Sequence, residues 1–322
     1  EMCIRDSGER AYYHATGRKF LIDNQQNMWL SCDSGVDQLS FLNESYSYFS
    51  TNHNDKIRGL FIDSKQRIWV ADKSERIEIY DSNRNYCGNL SQDGHLVKDK
   101  QFIFGADIYC FFEDEQQRIW MGSRKNGIYV AVPESGKFRI YHFKHSEKDK
   151  NSLSSDAVFS ICRDMEGSVW VGTFGGGLNV VEGSFPNLKF THYRNGLELY
   201  PEDKCLRVRS LLCTSKGVML AGTTDGLLTF STRVGQWEKV QFNLNQCETK
   251  RANSLSNNDV VYAFESRKGD IYVVTHSTGL NLINSKDLLC DNIEFIHLNK
   301  LNGLPSDMAY TILEEKDNEL WI

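Results

Sequence analysis

One glycine-rich stretch of the sequence has the residue types of a phosphate-binding loop. Residues 169–181 read VWVGTFGGGLNVV, and the backbone amides of such a loop can surround the oxygens of a nucleotide phosphate. That chemistry also needs a helix after the glycines and a lysine at its start, because the amides of a helix N-terminus complete the anion site. Here the glycines are followed by Leu178, Asn179, Val180 and Val181, a run that is typical of a β-strand. The sequence therefore predicts no nucleotide site and no cofactor.

Three histidines are the next candidates, since imidazole is a common metal ligand. They lie in similar short segments, IYHF, FTHY and FIHL, at His142, His192 and His297. These segments are equivalent parts of an internal repeat, so the side chains are expected on different sheets, too far apart to share an ion whose ligands lie at roughly 2 Å. We predict that the three histidines are structural and that the chain holds no metal.

Cysteine spacing gives no sign of a disulfide framework or a zinc site. The nine cysteines lie at positions 3, 32, 87, 110, 162, 205, 213, 247 and 290, with no C-x-x-C pair. Several occupy strand positions that are apolar in other copies of the repeat, as Cys162 does where Phe112 and Leu212 stand. Because a free cysteine packs as a small hydrophobic residue, we expect buried free thiols.

All of these residues except Cys3 belong to a repeated unit of about fifty residues. Segments similar to the glycine-rich stretch recur along the chain, each with an aromatic or apolar residue at its centre: Trp29, Trp69, Trp120, Trp170, Leu220, Tyr272 and Trp321. Successive central residues are 40, 51, 50, 50, 52 and 49 positions apart. A period near fifty with several short strands per copy predicts an all-β propeller. We expect about seven four-stranded blades, the last truncated in this chain.

Each copy has the pattern of a strand hairpin. Six residues before the central residue stands a carboxylate or hydroxyl, and three residues before it stands Gly, Gln or Asn, as Asp164 and Gly167 precede Trp170. The first opens a turn and the second suits a position with positive φ, so we predict a turn and not a catalytic carboxylate. Two residues after the central one the side chain is mostly small, as at Gly172, which would let neighbouring sheets approach closely.

Composition and charge limit the function classes. The 322 residues carry a formal charge of −6, which gives no electrostatic reason to bind nucleic acid. No apolar run approaches the roughly eighteen residues of a membrane span, and the first residues do not show the charged-then-apolar pattern that is expected of a signal segment. We therefore expect no nucleic-acid partner and no membrane contact from this chain itself.

The repeat also sets the expected domain limits. We predict one propeller over residues 19–322, with copies starting near residues 20, 57, 108, 158, 208, 260 and 309. Residues 1–18 match no copy and are expected to lie partly outside the fold or to complete the last blade. Since the sequence opens on Glu1 and stops within a copy, we expect it to be a piece of a longer protein.

A family resemblance rests on the most complete copy and on the linkers between copies. Residues 164–178 fit the pattern D-x-x-G-x-x-W-V-G-T-x-x-G-G-L, and the linkers read NSLS at 151–154, NSLS at 253–256 and NGLP at 302–305. This pattern resembles the two-component regulator propeller repeat. The resemblance implies the extracytoplasmic sensor region of a hybrid two-component histidine kinase, hence a periplasmic location, a possible homodimer through the full-length receptor, and a kinase outside this chain.

The loops between the second and third strands differ most between copies, and this favours a binding surface on a constant scaffold. The candidate ligand-binding residues are Arg76, Arg124, Lys125, Asn126, Phe174, Asp225 and His276. An aromatic ring such as that of Phe174 can stack on a sugar, while the polar side chains would fix its orientation. We expect an oligosaccharide ligand.

Two other functions fit the same fold. One is a propeller enzyme acting on carbohydrate, a glycosidase or a lyase, although no catalytic constellation stands out and the hairpins read Asp-x-x-Gly rather than the Asp-x-Gly of sialidases. The other is a protein-interaction scaffold, although no copy has the Gly-His and Trp-Asp pairs of WD repeats. Sensing is favoured over both, and the chain is expected not to be an enzyme.

Overall fold

The computed structural model describes residues 19–23, 27–32, 35–40, 45–49, 51–52, 55–233, 235–314 and 319–322. The chain divides into two compact units, residues 3–143 and 144–322. The described residues of both units form antiparallel sheets in which consecutive strands are hydrogen-bonded neighbours. In that part of the chain, helix is limited to two 3₁₀ segments, Trp237–Lys239 and Lys300–Asn302. The predicted all-β architecture of four-stranded sheets is confirmed.

The described residues of the first unit form three sheets, which we number in chain order. Sheet 1 consists of β1 (Lys19–Ile22), β2 (Asn27–Cys32), β3 (Gly35–Ser40) and β4 (Ser45–Phe49). Sheet 2 consists of β5 (Ile57–Ile62), β6 (Ile68–Asp72), β7 (Ile77–Tyr80), β8 (Tyr86–Leu90) and a fifth, two-residue strand β9 (Leu96–Val97). Sheet 3 consists of β10 (Ile108–Glu113), β11 (Ile119–Ser123), β12 (Ile128–Glu134) and β13 (Lys137–Phe143).

The second unit contains three further four-stranded sheets and one strand pair. Sheet 4 consists of β14 (Val158–Arg163), β15 (Val169–Thr173), β16 (Gly177–Ser184) and β17 (Asn187–His192). Sheet 5 consists of β18 (Val208–Cys213), β19 (Val218–Thr223), β20 (Gly226–Ser231) and β21 (Asn243–Asn245). Sheet 6 consists of β22 (Val260–Glu265), β23 (Ile271–Thr275), β24 (Gly279–Ile283) and β25 (Phe295–Leu298). The strand pair is β26 (Leu313–Glu314) with β27 (Leu320–Trp321).

The aspartate that opens the first hairpin of a sheet binds the central tryptophan six residues later. In sheet 4, Asp164 Oδ1 accepts a hydrogen bond from the Ser168 amide at 2.8 Å, and Oδ2 accepts one from the Trp170 indole N–H at 2.9 Å. The same aspartate–tryptophan bond is made by Asp23 and Trp29, Asp63 and Trp69, and Asp114 and Trp120. The carboxylate therefore closes the turn and also fixes a buried indole, which confirms its structural role.

Where the tryptophan is replaced, the aspartate is replaced as well. Sheet 5 has Thr214 with Leu220, and sheet 6 has Ser266 with Tyr272. Leucine offers no donor, so a buried carboxylate facing it would lose a partner at a cost of about 1–3 kcal/mol. The Thr214 hydroxyl instead accepts from the Val218 amide at 3.0 Å, which closes the turn without burying a charge.

The third residue before the central one adopts the left-handed conformation, as the pattern predicted. Its φ is 95° at Gly167, 60° at Gln66 and 58° at Gln117. The corresponding residues at positions 26 and 318 lie outside the described residues. The turn geometry selects this conformation even where the residue is not glycine.

Small residues after the central position allow close sheet packing within the second unit. A Cβ placed on Gly172 would lie 2.6 Å from Val208 Cγ1, and one on Gly222 would lie 2.7 Å from Val260 Cγ1. Both distances are shorter than any normal carbon contact, so each glycine is required by the first strand of the next sheet. The expectation of close approach at these positions is confirmed.

The NSLS linkers are anchored to the third strand of the following sheet. The Ser154 amide donates to Asn179 Oδ1 at 2.9 Å, and the Ser256 amide donates to Asn281 Oδ1 at 2.9 Å. Leu153, between the two serines of its linker, is fully buried. These contacts give the linker sequence a packing role at the start of each sheet.

The histidines of the last strands make structural contacts. The ring of His142 stacks on Tyr129 with centroids 3.9 Å apart, and its Nε2 lies 2.6 Å from the Asn126 carbonyl oxygen. His297 Nε2 lies 2.7 Å from the Ser254 carbonyl oxygen. Each imidazole joins its strand to a neighbouring loop, which supports the predicted structural role.

His192 should make the stability of the chain depend on pH. Burial, with the charges of Arg194 and His145, lowers its pKa from 6.5 to about 4. The unfolded chain therefore binds a proton at a higher pH than the folded chain, and stability falls as the pH falls from 6.5 towards 4. Urea unfolding across this range is expected to show a decline that is smaller in His192→Gln. The exposed His142→Gln is the control, and an identical decline in wild type and His192→Gln would contradict the assignment.

The cysteine thiols should differ sharply in reactivity. Seven cysteines in the described residues are free thiols, and burial raises the pKa of Cys162 and of Cys205 to about 11. Since the thiolate is the nucleophile, iodoacetamide at pH 8 is expected to modify the exposed Cys247 and to spare Cys162 and Cys205 until denaturant is added. Peptide mapping by mass spectrometry measures this difference. Equal rates of modification at Cys205 and Cys247 in the folded chain would contradict the burial of Cys205.

Candidate functional site

Five of the first strands contain a β-bulge at the same position. In β5, β10, β14, β18 and β22 the pairing register shifts immediately after the first residue. The residues left out of the pairing are Arg58, Tyr109, Phe159, Arg209 and Val261. A bulge bends the strand and redirects the side chain of its extra residue. Each of these sheets thus has one residue that lies outside the strand pairing, and the direction of its side chain differs from that in a regular strand.

The loop after the second strand of each sheet is held beside this bulge. The first residue of this loop donates its backbone N–H to the carbonyl of the residue that precedes the first strand of the same sheet. The five bonds are Lys73 to Lys56 (2.8 Å), Arg124 to Asp107 (2.9 Å), Phe174 to Ala157 (2.7 Å), Thr224 to Arg207 (3.2 Å) and His276 to Asp259 (2.9 Å). Three predicted ligand-binding residues, Arg124, Phe174 and His276, therefore occupy equivalent positions next to a bulge.

In the second unit, Phe174 is the centre of an aromatic and cationic cluster. Its ring stacks on Phe159, the bulged residue of the same sheet, with centroids 5.1 Å apart. The guanidinium carbons of Arg207 and Arg209 lie 5.8 and 5.5 Å from the Phe174 ring centroid. Backbone pairing between Phe174 and Arg207 fixes the spacing of the two residues. We call these residues, with Asp259, the Phe174 cluster.

Asp259 holds one of the two arginines. Arg209 donates from Nε to Asp259 Oδ1 at 2.7 Å and from Nη2 to Oδ2 at 3.1 Å, a two-pronged pair that fixes the plane of the guanidinium. The Asp259 carbonyl also accepts the His276 amide at 2.9 Å. Both side chains of the pair are about one-third exposed or less, so solvent can reach this part of the cluster.

The structure brings the three predicted residues of the second unit together around the Phe174 cluster. Phe174 belongs to it, and the exposed His276 adjoins Asp259 through its backbone. Asp225 follows Thr224, whose amide donates to Arg207, and its carboxylate accepts the Thr224 hydroxyl at 2.9 Å. The loops of Phe174 and Thr224 both contact Arg207, next to the bulged strand of sheet 5, and the loop of His276 adjoins them through Asp259, the partner of Arg209.

The first unit has a related arrangement at its own bulges. The Arg58 guanidinium lies 5.3 Å from the Tyr109 ring centroid, and its Nε lies 3.8 Å from Asp107 Oδ1. Burial raises the pKa of Asp107 in spite of the positive charges of Arg58 and Arg124. Arg124 and the neighbouring Lys125 are exposed, so two predicted cations are accessible here.

The other two predicted residues of the first unit are held by local contacts. Arg76 is 7% exposed, and its guanidinium is bound by Asp72, at 2.9 Å, and by Asp55. Asn126 donates its amide to the Ser123 hydroxyl at 2.7 Å and gives its carbonyl to His142. Arg76 thus stabilises its loop and has little surface to offer a ligand.

The glycine-rich loop uses its amides within the fold. The amides of Gly175 and Gly177 donate to the Leu206 carbonyl at 2.7 and 2.9 Å. A phosphate would have to displace this carbonyl to reach them. The loop therefore joins sheet 4 to the segment before sheet 5 and positions Phe174.

Sequence reasoning missed Arg207, Arg209 and Asp259. A bulge leaves no residue signature, so nothing in the first strands distinguished these side chains. One signal existed: Arg209 and Asp259 are 50 positions apart, and Arg58 and Asp107 are 49 apart. In both pairs the arginine is the bulged residue of one sheet and the aspartate stands two residues before the bulge of the next sheet, so a repeated opposite-charge pair at this spacing indicates a contact between successive sheets.

Comparison with proteins of known structure defines the class. The chain has the β-propeller fold: it is similar to the extracellular domain of a putative hybrid two-component system from B. thetaiotaomicron, with a TM-score of 0.74 and 19% identity over 98% of this chain and 39% of that one. It is also similar to virginiamycin B lyase from Staphylococcus aureus, with a TM-score of 0.61 and 11% identity over 88% of this chain and 84% of that one. Likeness at these identities establishes the fold alone.

The repeats themselves are recognised more specifically. Residues 103–125 and 152–175 match the two-component regulator propeller family, which confirms the predicted resemblance for these two segments. It is also 29% identical over 122 residues to histidine kinase P4 of Formosa agariphila. That match covers 37% of this chain and 8% of the kinase, so the chain spans a small part of the curated relative it matches.

The described residues contain neither a membrane-spanning helix nor a metal-binding group of side chains. None of their helices has the length and apolar character needed to cross a bilayer. Among the same residues, no group of three His, Cys, Asp or Glu side chains is placed to hold a metal ion.

Proposed function

We propose that this chain is the ligand-sensing part of an extracytoplasmic, periplasmic receptor of the hybrid two-component type, and that its ligand is an oligosaccharide. The observation that supports the proposal most directly is the Phe174 cluster. Two guanidiniums and a carboxylate are oriented there around an aromatic ring, beside loops of differing sequence, and sugar sites fix their ligand through a few precisely placed polar groups. The two-component regulator propeller repeats agree with this role.

Isothermal titration calorimetry against a panel of oligosaccharides tests the proposal. The panel contains neutral and acidic members from plant, microbial and animal polysaccharides. We expect at least one member of the panel to bind saturably. We also expect the heat of binding to fall when residues of the Phe174 cluster are substituted. If no member binds the folded chain, the oligosaccharide proposal is wrong.

The alternative of a propeller enzyme is tested with the same panel. Similarity in fold to virginiamycin B lyase raises this alternative without naming a substrate for this chain. Each oligosaccharide is incubated with the protein and the products are separated by mass. A new product in any incubation would favour the enzyme, whereas binding without turnover favours the sensor.

A further inference from the structure

The Phe174 cluster contains more positive than negative charge. Arg207 and Arg209 share one aromatic ring, and Asp259 neutralises Arg209 through both of its oxygens. Within the described part of the chain, no carboxylate lies within 4.0 Å of the Arg207 guanidinium, and this side chain is exposed. Two like charges held together with one counter-charge leave a place for an anion.

The ring of Phe174 already packs against three side chains of the cluster. Phe159 stacks on it, and both guanidiniums lie over it at cation–π distances. The aromatic surface therefore serves to hold the arginines, and a ligand that enters the cluster meets their N–H groups first. Direct stacking of a sugar on Phe174 is the less favoured contact.

Arg207 has the donors that such a ligand would use. A guanidinium presents five N–H groups in a plane, and it binds carboxylates and sulfates through two parallel hydrogen bonds. The Nε and Nη2 groups of Arg209 are used by Asp259. Backbone pairing with Phe174 fixes the base of Arg207, so its guanidinium is held near the cluster before any ligand arrives.

We propose that the Phe174 cluster binds an acidic saccharide, whose carboxylate or sulfate is held by the Arg207 guanidinium. This inference rests on the proposed sensing function and narrows its ligand class. A uronic acid and a sulfated sugar supply the same anionic oxygens, so the experiment must separate them.

The test is calorimetry on the whole chain with paired probes. Oligogalacturonate is compared with its methyl ester, and a sulfated galactan oligosaccharide, which has no carboxylate, is compared with its desulfated form. We expect an acidic probe to bind and its neutral counterpart to bind at least about tenfold more weakly, because charge-assisted hydrogen bonds are lost. The pair that shows the difference identifies carboxylate or sulfate.

Arg207→Gln should weaken binding of the acidic probe by about tenfold or more. The matched control is Arg194→Gln, since Arg194 is also exposed and lies 5.0 Å from a tyrosine ring, that of Tyr193, in the same unit. Equal binding of acidic and neutral partners would overturn the inference and leave oligosaccharide sensing intact. If the acidic probe binds Arg207→Gln as tightly as wild type, the inference is also overturned. If no member of the panel binds, both proposals are overturned.

Discussion

Replacing Trp170 with alanine is expected to lower the free energy of unfolding by about 3–5 kcal/mol, the range found for large aromatic residues in cores. Trp170 is fully buried, and its ring packs against Phe230 and Trp237 with centroids 5.1 and 5.5 Å away. The substitution leaves a cavity and also removes the donor that satisfies the buried carboxylate of Asp164. Guanidinium unfolding followed by circular dichroism measures the change.

Trp170→Phe separates the two contributions. It keeps most of the packed surface and removes the indole N–H, so we expect a smaller loss of about 1–3 kcal/mol from the unsatisfied carboxylate. Adding Asp164→Ala to Trp170→Phe should then cost less than Asp164→Ala in the wild type, because the two residues are coupled. A loss below about 1 kcal/mol for Trp170→Ala would contradict the packing described here.

Phe174→Ala is expected to lower the affinity for the oligosaccharide by at least about tenfold, which corresponds to about 1.4 kcal/mol. The ring orients Arg207 and Arg209, and cation–π contacts of this kind contribute about 0.5–2 kcal/mol each. Its effect on stability should be small, about 1 kcal/mol, because the ring is only partly buried and makes one aromatic pair with Phe159. Calorimetry gives the affinity and thermal unfolding gives the stability.

Tyr310→Ala provides the control for loss of an aromatic side chain. Tyr310 lies in the same unit, is 44% exposed and is remote in sequence from the Phe174 cluster. We expect its removal to leave affinity unchanged. If Phe174→Ala binds as tightly as wild type while Arg124→Ala does not, the ligand site lies at the bulges of the first unit instead.

The fold was predictable because the sequence contains seven copies of the same repeat. Each copy repeats the same hairpin, and comparison of copies separates what the turn requires, such as Asp164 and Gly167, from what varies. The candidate site was only partly predictable. Variation among loops pointed to Phe174 and His276, but the same reasoning included Arg76, whose role as an ion-pair partner of Asp72 depends on a loop conformation that sequence does not reveal.

Arg207 and Arg209 escaped prediction for a physical reason. In a regular strand, where side chains alternate between the two sides of the sheet, residues 207 and 209 face the same side, but this spacing does not say which side that is or that both side chains reach the ring of a residue in another sheet. The bulge between Val208 and Ser210 breaks that alternation. Only a structure locates such a break.

The repeated bulge has a consequence for how this scaffold can change over evolution. The side chain at that position takes no part in strand pairing, and among the five sheets it is already arginine, tyrosine, phenylalanine or valine. Mutations there leave the hydrogen bonds between the strands in place while they alter the chemistry presented to a ligand. A gene encoding such repeats can therefore change what it recognises one codon at a time while the pairing of the strands is kept.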